Sequence, residues 1–193
     1  SLTVISEVTL REMDEALGSI SSDKNAKGLI LFSHKENCFL AGMDVSIIQS
    51  LSSEIEASQG CEKGQEVFNK IEDLRIPSMA LVDGVCLGGG LEMALSCNKI
   101  MCSDSKKTAL GLPEVMLGVL PGFGGTYRLP KKIGLTTSLD LLLSGKQIKA
   151  KKARRMGLAE YVVPKERLLE KASEYLFKKT EDNKSFQETM MEK

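Results

Sequence analysis

Two short apolar runs on either side of a helical segment most constrain the fold of this chain. The runs GLILFS (residues 28–33) and SMALVDG (78–84) are bounded by glycine, proline or serine, which is typical of buried strands. Between them, KGQEVFNKIEDL (63–74) places its apolar residues at helical spacing. Because a strand, a crossover helix and a second strand build a parallel sheet, this order predicts an α/β fold.

The middle of the chain continues this alternation and then enters a long loop. GGGLEMALSC (88–97) is predicted to be a helix and KIMCS (99–103) a strand. The segment GLPEVMLGVLPGFGG (111–125) is rich in glycine and proline and is predicted to be a loop. Long ordered loops are disproportionately functional, so this segment is a candidate for part of a site.

Both ends of the chain are predicted to be mainly helical. Near the N-terminus, residues three and four apart form one apolar helix face: Leu10, Met13, Leu17 and Ile20. The last third is predicted to contain helices at 136–145, 150–158 and 165–179 and a short strand at 160–163. No internal repeat or low-complexity linker divides the chain, so residues 1–193 are interpreted as one domain.

The charge balance excludes a strong overall attraction to polyanions. The 26 basic and 26 acidic residues cancel, so no net field draws the molecule toward nucleic acid or an anionic membrane. No apolar stretch reaches the ~18 residues that a membrane span needs. An anionic ligand must therefore be bound by a local feature of the structure.

Cysteine and histidine usage argues against a metal centre. The one histidine, His34, follows a predicted strand and is expected at the surface, and no Gly-x-Ser-x-Gly elbow supports a triad through it. The chain has no Cys-x-x-Cys pair and no cluster of Cys and His ligands. The cysteines lie mostly in apolar runs and are expected to be reduced core residues in a reducing compartment: Cys38, Cys61, Cys86, Cys97 and Cys102.

Three consecutive glycines precede a glutamate in GVCLGGGLEMALS (84–96). One interpretation is an ordinary strand-to-helix turn, which glycine makes easily. The other is an anion site, because the first N–H groups of a helix lack partners and the helix dipole favours negative charge. The phosphate-loop and dinucleotide patterns are both absent, so an oxyanion is favoured over a phosphate.

Glu92 and Glu114 are the candidate acid/base groups. Glu92 could be only a first-turn carboxylate stabilised by the helix dipole. Glu114 is followed by the apolar residues Val115, Met116 and Leu117, and a carboxylate in apolar surroundings acquires a raised pKa that suits acid/base catalysis. Their spacing in the chain does not establish that the two glutamates face one pocket.

Two further segments have both a structural and a ligand-binding interpretation. NCFLAGMD (37–44) could be an ordinary turn at Gly42 that leads into a helix capped by Asp44. The basic run KQIKAKKARR (146–155) could be a solvated helix face, or it could contact ligand phosphates. It has no interleaved aromatic residues, which nucleic-acid binding would favour.

Three motifs together resemble the enoyl-CoA hydratase (crotonase) superfamily: CFLAGMD, GVCLGGGLEMALSC and LGLPEVMLGVLPGFGGTYRLPKKIG, in this order. The likeness covers roughly residues 4–172. Within the superfamily the chain is most similar to the N-terminal hydratase region of the fatty-acid oxidation multifunctional α-subunit. The segment SDSKKTALGLPEV, which sets the spacing between Glu92 and Glu114, is typical of that branch.

The resemblance implies an α/β, crotonase-like spiral of β-β-α units with a helical C-terminal part. It also implies acyl-CoA thioester substrates, with the backbone N–H groups of Met43 and Gly89 as donors to the thioester oxygen and Glu92 and Glu114 as catalytic carboxylates. Substrate contacts are implied for six further residues: Ala41, Gly42, Asp44, Gly88, Pro121 and Gly122. No metal and no separate cofactor are implied, because coenzyme A is part of the substrate.

The reaction that the resemblance implies is hydration of 2-trans-enoyl-CoA in fatty-acid β-oxidation, with Glu114 delivering the C2 proton and Glu92 holding the water. The alternatives are a Δ3,Δ2-enoyl-CoA isomerase, a non-catalytic acyl-CoA-binding or interaction domain, and an RNA-binding member of the superfamily. The implied partners are a homotrimer or a multifunctional α/β complex. The implied compartment is the cytoplasm of a bacterium or the mitochondrial matrix of a eukaryote.

Two departures from the family pattern accompany the resemblance. The family's first strand, which contacts the CoA nucleotide, is expected to be missing before Ser1. The hydroxyacyl-CoA dehydrogenase region of the multifunctional branch is expected to be missing after Lys193. Met43 stands where the family commonly has alanine, and it is expected to narrow the site near the thioester carbonyl.

Overall fold

The computed structural model describes residues 3–44, 47 and 52–176. Its strands are β1 (Leu29–Leu31), β2 (Cys38–Leu40), β3 (Ser78–Val82), β4 (Val85–Leu87), β5 (Lys99–Ser103), β6 (Ala109–Gly111), β7 (Ile148–Lys149) and β8 (Tyr161–Val163). Its α-helices are α1 (Glu7–Ser22), α2 (Glu54–Glu72), α3 (Gly89–Ser96), α4 (Gly125–Ile133), α5 (Leu135–Ser144), α6 (Ala150–Arg155) and α7 (168–176). Short 3-10 helices span Pro113–Leu117 and Lys165–Arg167.

The strands form two four-stranded sheets, and from β1 to β6 the chain alternates between them. One sheet has the order β1-β3-β5-β8 and is parallel throughout. The other has the order β2-β4-β6-β7 and is parallel except where β7 runs against β6. Up to β6, each turn of the chain thus adds one strand to each sheet, and α2 and α3 follow the first two pairs. The expected spiral of β-β-α units is confirmed.

The longer strands and most of the helices agree with the sequence analysis, whereas helix α4 and the four short strands β2, β4, β6 and β7 were not predicted. The segments β2, β4 and β6 have three residues each, and glycine or other turn residues flank them, which hides a strand pattern. The prediction of a loop over 111–125 was wrong in part. Pro113 opens a 3-10 turn inside that segment and Gly125 begins α4, because proline fits the first position of a helix. Residues 177–179 of the last predicted helix lie outside the described residues.

Helix α3 lies at the centre of the main core. All eight of its residues are buried, and it packs against α2, α4 and the strands β2, β4 and β5. Gly90 makes the closest approach, since a Cβ there would lie 2.2 Å from the carbonyl oxygen of Leu40. From α2, Phe68 and Ile71 fill the adjacent space. The glycine run therefore lets a helix rest directly on the backbone of β2.

A second, smaller core attaches the C-terminal helix to the outer surface of the β1-β3-β5-β8 sheet. Leu168, Ala172 and Leu176 of α7 are buried with residues of β3 and β5 in this cluster. Tyr161 of β8 stacks on Tyr175 of α7 with ring centroids 4.0 Å apart. The helical C-terminal part is confirmed within the described residues. No helix among them is long and apolar enough to cross a lipid bilayer.

Candidate active site

An apolar cavity of about 390 Å³ opens where β2, β4 and β6 end and α3 begins. Its walls also include one face of α2 and the 3-10 helix Pro113–Leu117. Eight of the ten site residues named from the sequence line it: Ala41, Gly42, Met43, Gly88, Gly89, Glu92, Glu114 and Gly122. The fold thus brings together three motifs that lie far apart in the chain.

Asp44 and Pro121 do not line this cavity. Asp44 follows the lining residue Met43, and its carbonyl accepts a hydrogen bond from the backbone N–H of Ile47. Pro121 is buried directly before the lining residues Gly122 and Phe123. Substrate contacts by Asp44 and Pro121 stay predictions.

Two glycine turns touch each other at one end of the cavity. Gly42 has a φ of +100° and Gly88 a φ of +53°, backbone conformations that side chains rarely permit. A Cβ at Gly42 would lie 3.2 Å from the carbonyl oxygen of Leu87 and 3.7 Å from the nitrogen of Gly89. The absence of side chains therefore places the start of α3 against the backbone that leads into Met43.

Two N–H groups at this contact have no acceptor among the described residues and can bind a ligand. Gly89 is the first residue of α3, where a helix leaves its N–H groups without intrahelical acceptors. Across the described part of the chain, neither the Gly89 nor the Met43 N–H donates to another backbone or side-chain group outside regular helices and strands. Both residues line the cavity. An oxygen atom bound there would receive two hydrogen bonds at the positive end of a helix dipole.

Glu92 is a buried carboxyl with one oxygen tightly held. Its side chain is 1% exposed, and Oε1 accepts hydrogen bonds from the N–H groups of Phe123 (2.8 Å) and Gly125 (2.7 Å). Burial raises the pKa of Glu92 to about 7, and the charge of Glu114 also raises it. The two N–H donors and the positive charge of Arg128 oppose this rise. Glu92 can therefore take up or release a proton near neutral pH.

Glu114 lines the same cavity as Glu92. It is the second residue of the 3-10 helix that begins at Pro113. Its Oε2 is buried and has no hydrogen-bond partner within the described residues, and burial raises the pKa of its carboxyl. A Cβ at Gly88 would lie 3.0 Å from the Glu114 Oε1, so this carboxyl sits beside the glycine turn. The structure thus brings Glu92 and Glu114 together, which their spacing alone did not establish.

Sequence reasoning missed one whole wall of the cavity. Ala57, Gly60 and Cys61 of α2 face it, and so does the apolar segment that includes Leu117 and Leu120. The spacing of the three α2 residues was a detectable signal, because positions i, i+3 and i+4 share one face of a helix. Four of the cysteines are buried as expected, whereas Cys61 is only partly buried.

The basic run 146–155 lies outside the cavity lining. Lys146 pairs with Asp140, and the Lys149 ammonium donates to the carbonyl of Lys106. Within α6, Ala150 and Ala153 face the core while the basic side chains are exposed, as in a solvated helix face. A contact of this run with ligand phosphates stays a prediction.

His34 is exposed, as expected, and its ring makes an edge contact with Phe32. Within the described ranges, no three His, Cys, Asp or Glu side chains form a group that could hold a metal ion.

The chain is similar to known proteins in both sequence and structure. The Enoyl-CoA hydratase/isomerase family matches residues 2–193. The fatty acid oxidation complex subunit alpha of Shewanella putrefaciens is 49% identical over 163 residues, 84% of this chain. The corresponding subunit of Shewanella frigidimarina is 49% identical over the same length. The chain spans less than a quarter of the length of these curated relatives, 23% in both.

A crystal structure of an enoyl-CoA hydratase from Bacillus anthracis superimposes with a TM-score of 0.85. The two chains are 34% identical, and the match covers 91% of this chain and 67% of the other. The family match, the curated relatives and the fold thus all agree with one family.

Proposed function

The chain belongs to the enoyl-CoA hydratase/isomerase family, and from that premise we propose that it adds water to the double bond of 2-trans-enoyl-CoA thioesters in fatty-acid oxidation. One observation carries the proposal. The buried carboxyl of Glu92 and the partly buried carboxyl of Glu114, both with raised pKa values, line the same cavity as two backbone N–H groups that have no acceptor among the described residues. Hydration needs both features, because it creates negative charge on one oxygen and moves two protons nearby.

The backbone donors would stabilise the charge that develops during the reaction. When water attacks C3, electrons shift onto the thioester oxygen and an enolate forms. An oxygen held by the N–H groups of Met43 and Gly89 would be stabilised by ~3 kcal/mol for each donor, since both are fixed before the reaction starts. The positive end of the α3 dipole adds to this effect.

The two glutamates would divide the proton transfers. Glu92 holds its Oε1 in two backbone hydrogen bonds, which leaves its other oxygen to orient a water molecule and accept its proton. Glu114 would deliver a proton to C2 as the enolate collapses. The product is a 3-hydroxyacyl thioester, and the atoms of one water molecule balance the reaction. Only protons and water move, so the proposal includes no separate cofactor.

The test is the loss of enoyl absorbance when crotonyl-CoA is mixed with the purified chain. Glu92→Gln and Glu114→Gln should each lower turnover by at least ~10²-fold, because an amide cannot exchange the proton. Glu12→Gln is the matched control, since Glu12 is exposed on α1 and lies outside the cavity lining. It should leave turnover unchanged. Near wild-type turnover in a folded Glu92 or Glu114 variant would remove that residue from the mechanism.

A second reaction is favoured by the environment of Glu114. Its buried Oε2 has no hydrogen-bond partner among the described residues, which suits a base that shuttles a proton between C2 and C4 of a 3-enoyl thioester. Such a shuttle is a Δ3,Δ2-enoyl-CoA isomerase reaction. A 3-enoyl-CoA substrate tests it: the Glu114→Gln variant should lose isomerisation more completely than the Glu92→Gln variant does.

The relatives support two further parts of the proposal. Because the Shewanella relatives are named as subunits of a fatty acid oxidation complex, we propose a multifunctional complex as the partner in preference to a homotrimer. Those relatives are bacterial, which favours the cytoplasm over the mitochondrial matrix as the compartment.

A further inference from the structure

Arg128 is a buried arginine outside the cavity lining that contacts the segment holding Glu92. Only 5% of it is exposed. Its Nη1 donates to the carbonyl oxygen of Phe123 (2.8 Å), its Nε to Oε2 of Glu72 (3.0 Å) and its Nη2 to Oδ1 of Asn69 (2.5 Å). A buried guanidinium is costly unless its donors are paired, and here each of its three nitrogens has an acceptor.

Phe123 connects Arg128 to Glu92, because its carbonyl oxygen accepts a hydrogen bond from Arg128 while its N–H donates one to Glu92. Phe123 donates its N–H to Glu92 Oε1, and Gly125 donates to the same oxygen. Between them Gly124 has a φ of +101°, and a Cβ there would lie 2.2 Å from the Arg128 Nη1. The glycine therefore leaves the space through which the guanidinium reaches the Phe123 carbonyl.

We propose that Arg128 is a positioning residue for Glu92: it fixes the Phe123–Gly125 segment to helix α2, so that two N–H groups stay aimed at one carboxyl oxygen and the other oxygen stays available to water. The inference rests on the proposed function for its catalytic consequence. Its structural part, the control of the Glu92 carboxyl, does not depend on activity.

Three acceptors surround position 128, and the planar guanidinium of arginine has the donors to bind all of them. Asn69 and Glu72 lie three residues apart on one face of α2, and the Phe123 carbonyl lies on the other side of the guanidinium. A planar group with several fixed donors can join these three acceptors, whereas the single ammonium of lysine cannot hold the same geometry. Gln65 adds a second tie from α2 to the same segment, donating to the carbonyl of Gly122 (2.7 Å).

The charges around Glu92 give the proposal a measurable sign. Arg128 from α4 lowers the pKa of Glu92, and Glu114 from the 3-10 helix raises it. On α2, burial and the charge of Glu92 raise the pKa of the Cys61 thiol. Glu72 lies on the far side of Arg128. Loss of Arg128 would remove a positive charge and loosen two donors that favour the ionised carboxyl, so the pKa of Glu92 should rise.

The experiment measures the titration of Glu92 directly, by carbon NMR of the protein labelled at its glutamate carboxyl carbons, with the resonance assigned by its loss in Glu92→Gln. Arg128→Gln should move the Glu92 midpoint upward by about one pH unit or more. Arg128→Lys keeps the charge but not the fork, and it should give an upward shift of smaller size. Glu72→Gln is the control: it keeps an acceptor for Nε, and the midpoint should stay within about 0.3 pH unit of wild type.

Hydration of crotonyl-CoA gives the second readout. In Arg128→Gln the pH–rate profile should shift upward with the NMR midpoint, and kcat should fall by about tenfold or more while KM changes little. If the wild-type chain has no hydratase activity, the proposed function fails, but the NMR comparison still tests the positioning role.

If the Arg128→Gln protein does not fold, a second variant tests the same proposal by NMR titration of Glu92. The double variant Asn69→Ala/Glu72→Ala removes two acceptors that lie on α2 and leaves Arg128 itself in place. It should shift the Glu92 midpoint upward by less than Arg128→Gln does. An unchanged midpoint in this folded double variant, or in a folded Arg128→Gln protein, would overturn the proposal.

Discussion

At the scale of single residues, the site depends on which atoms of each group are already occupied. Glu92 has one oxygen bound to two N–H groups, whereas Glu114 has a buried oxygen without a partner in the described structure. Two carboxyl groups of one residue type thus enter the cavity with different environments. Burial raises the pKa of both, but only that of Glu92 is also lowered by backbone donors from another element.

The donor role of Met43 can be tested without changing its neighbours. Met43→Pro removes the backbone N–H, which donates to no described group outside regular helices and strands, so the hydrogen bonds of the fold stay intact. Turnover of crotonyl-CoA should fall by about 10²- to 10³-fold. Met43→Ala keeps the N–H and should retain turnover within a few-fold.

Circular dichroism of both Met43 variants would establish that they are folded. If folded Met43→Pro and Met43→Ala proteins turn over equally, the thioester oxygen is bound elsewhere.

Some of these residue properties could be predicted from the sequence and some could not. The apolar neighbours of Glu114 indicated a raised pKa, and the glycine run indicated free N–H groups at a helix start. The role of Arg128 could not be predicted, because its acceptors come from residues that lie 56 and 59 positions away in the chain. Such long-range pairs depend on how α2 and α4 pack, which local patterns do not encode.

At the scale of elements, helix α2 has one side that packs in the core and another that lines the cavity, and the sequence revealed only the first. Its apolar side, with Val67, Phe68 and Ile71, was visible as helical spacing and is buried as predicted. Its cavity side consists of the small residues Ala57, Gly60 and Cys61, whose spacing places them on one helix face but whose size does not mark that face as strongly apolar. The three-residue strands were missed for a related reason, since a stretch that short is not distinguishable from a turn.

We expect Gly60 to set how much acyl chain the cavity accepts. A Cβ at Gly60 would meet no atom within 4 Å, and the residue faces the cavity, so a larger side chain fits there and occupies substrate space. Gly60→Leu should lower kcat/KM for a long-chain enoyl-CoA at least tenfold more than for crotonyl-CoA. Gly18→Leu on α1 is the matched control, because a Cβ there also meets nothing within 4 Å and Gly18 is exposed.

Both leucine variants should also gain about 0.5–1 kcal/mol of stability, because leucine favours a helix interior more than glycine does. Denaturant unfolding of the two proteins separates this shared effect from the change in specificity. Equal long-chain activity in Gly60→Leu and Gly18→Leu would mean that the acyl chain takes another path.

At the scale of the whole molecule, a buried carboxyl with a raised pKa makes stability depend on pH. The folded state keeps the Glu92 proton up to about pH 7, whereas an unfolded glutamate loses it near pH 4.5. The unfolded state therefore binds fewer protons between these values, and stability falls as pH rises from about 4.5 to about 7. Above that range the full cost of the buried charge is present.

The Glu92→Gln variant should lack this cost. From pH 5 to pH 8 its free energy of unfolding should rise relative to wild type by about 2–3 kcal/mol, measured by urea unfolding at both values. Glu12→Gln, on the exposed surface of α1, should track wild type at both pH values. A constant difference between the Glu92→Gln and wild-type proteins would show that Glu92 titrates alike in the folded and unfolded states.

The fold of the whole chain was largely predictable from the sequence, whereas the contact between the two glycine turns that positions the cavity was not. The order of strand, helix and strand predicted the parallel sheet, and the motif resemblance predicted the spiral of β-β-α units that the structure confirms. The position of the cavity depends on the contact between the glycine turns at Gly42 and Gly88. Sequence separation hides that contact, because the two turns belong to successive coils of the spiral.

The contact of those glycine turns also affects which sequence changes the site can tolerate during evolution. The atoms proposed to bind the substrate oxygen, and the atoms that hold Glu92, are peptide N–H groups of Met43, Gly89, Phe123 and Gly125. Every amino acid except proline supplies such a group, so drift at Met43 and Phe123 can change the side chain without changing the donor. At this end of the cavity, evolution must therefore preserve the backbone conformation that orients these N–H groups. A lineage can thus retain the chemistry while its side chains, and with them its choice of substrate, diverge.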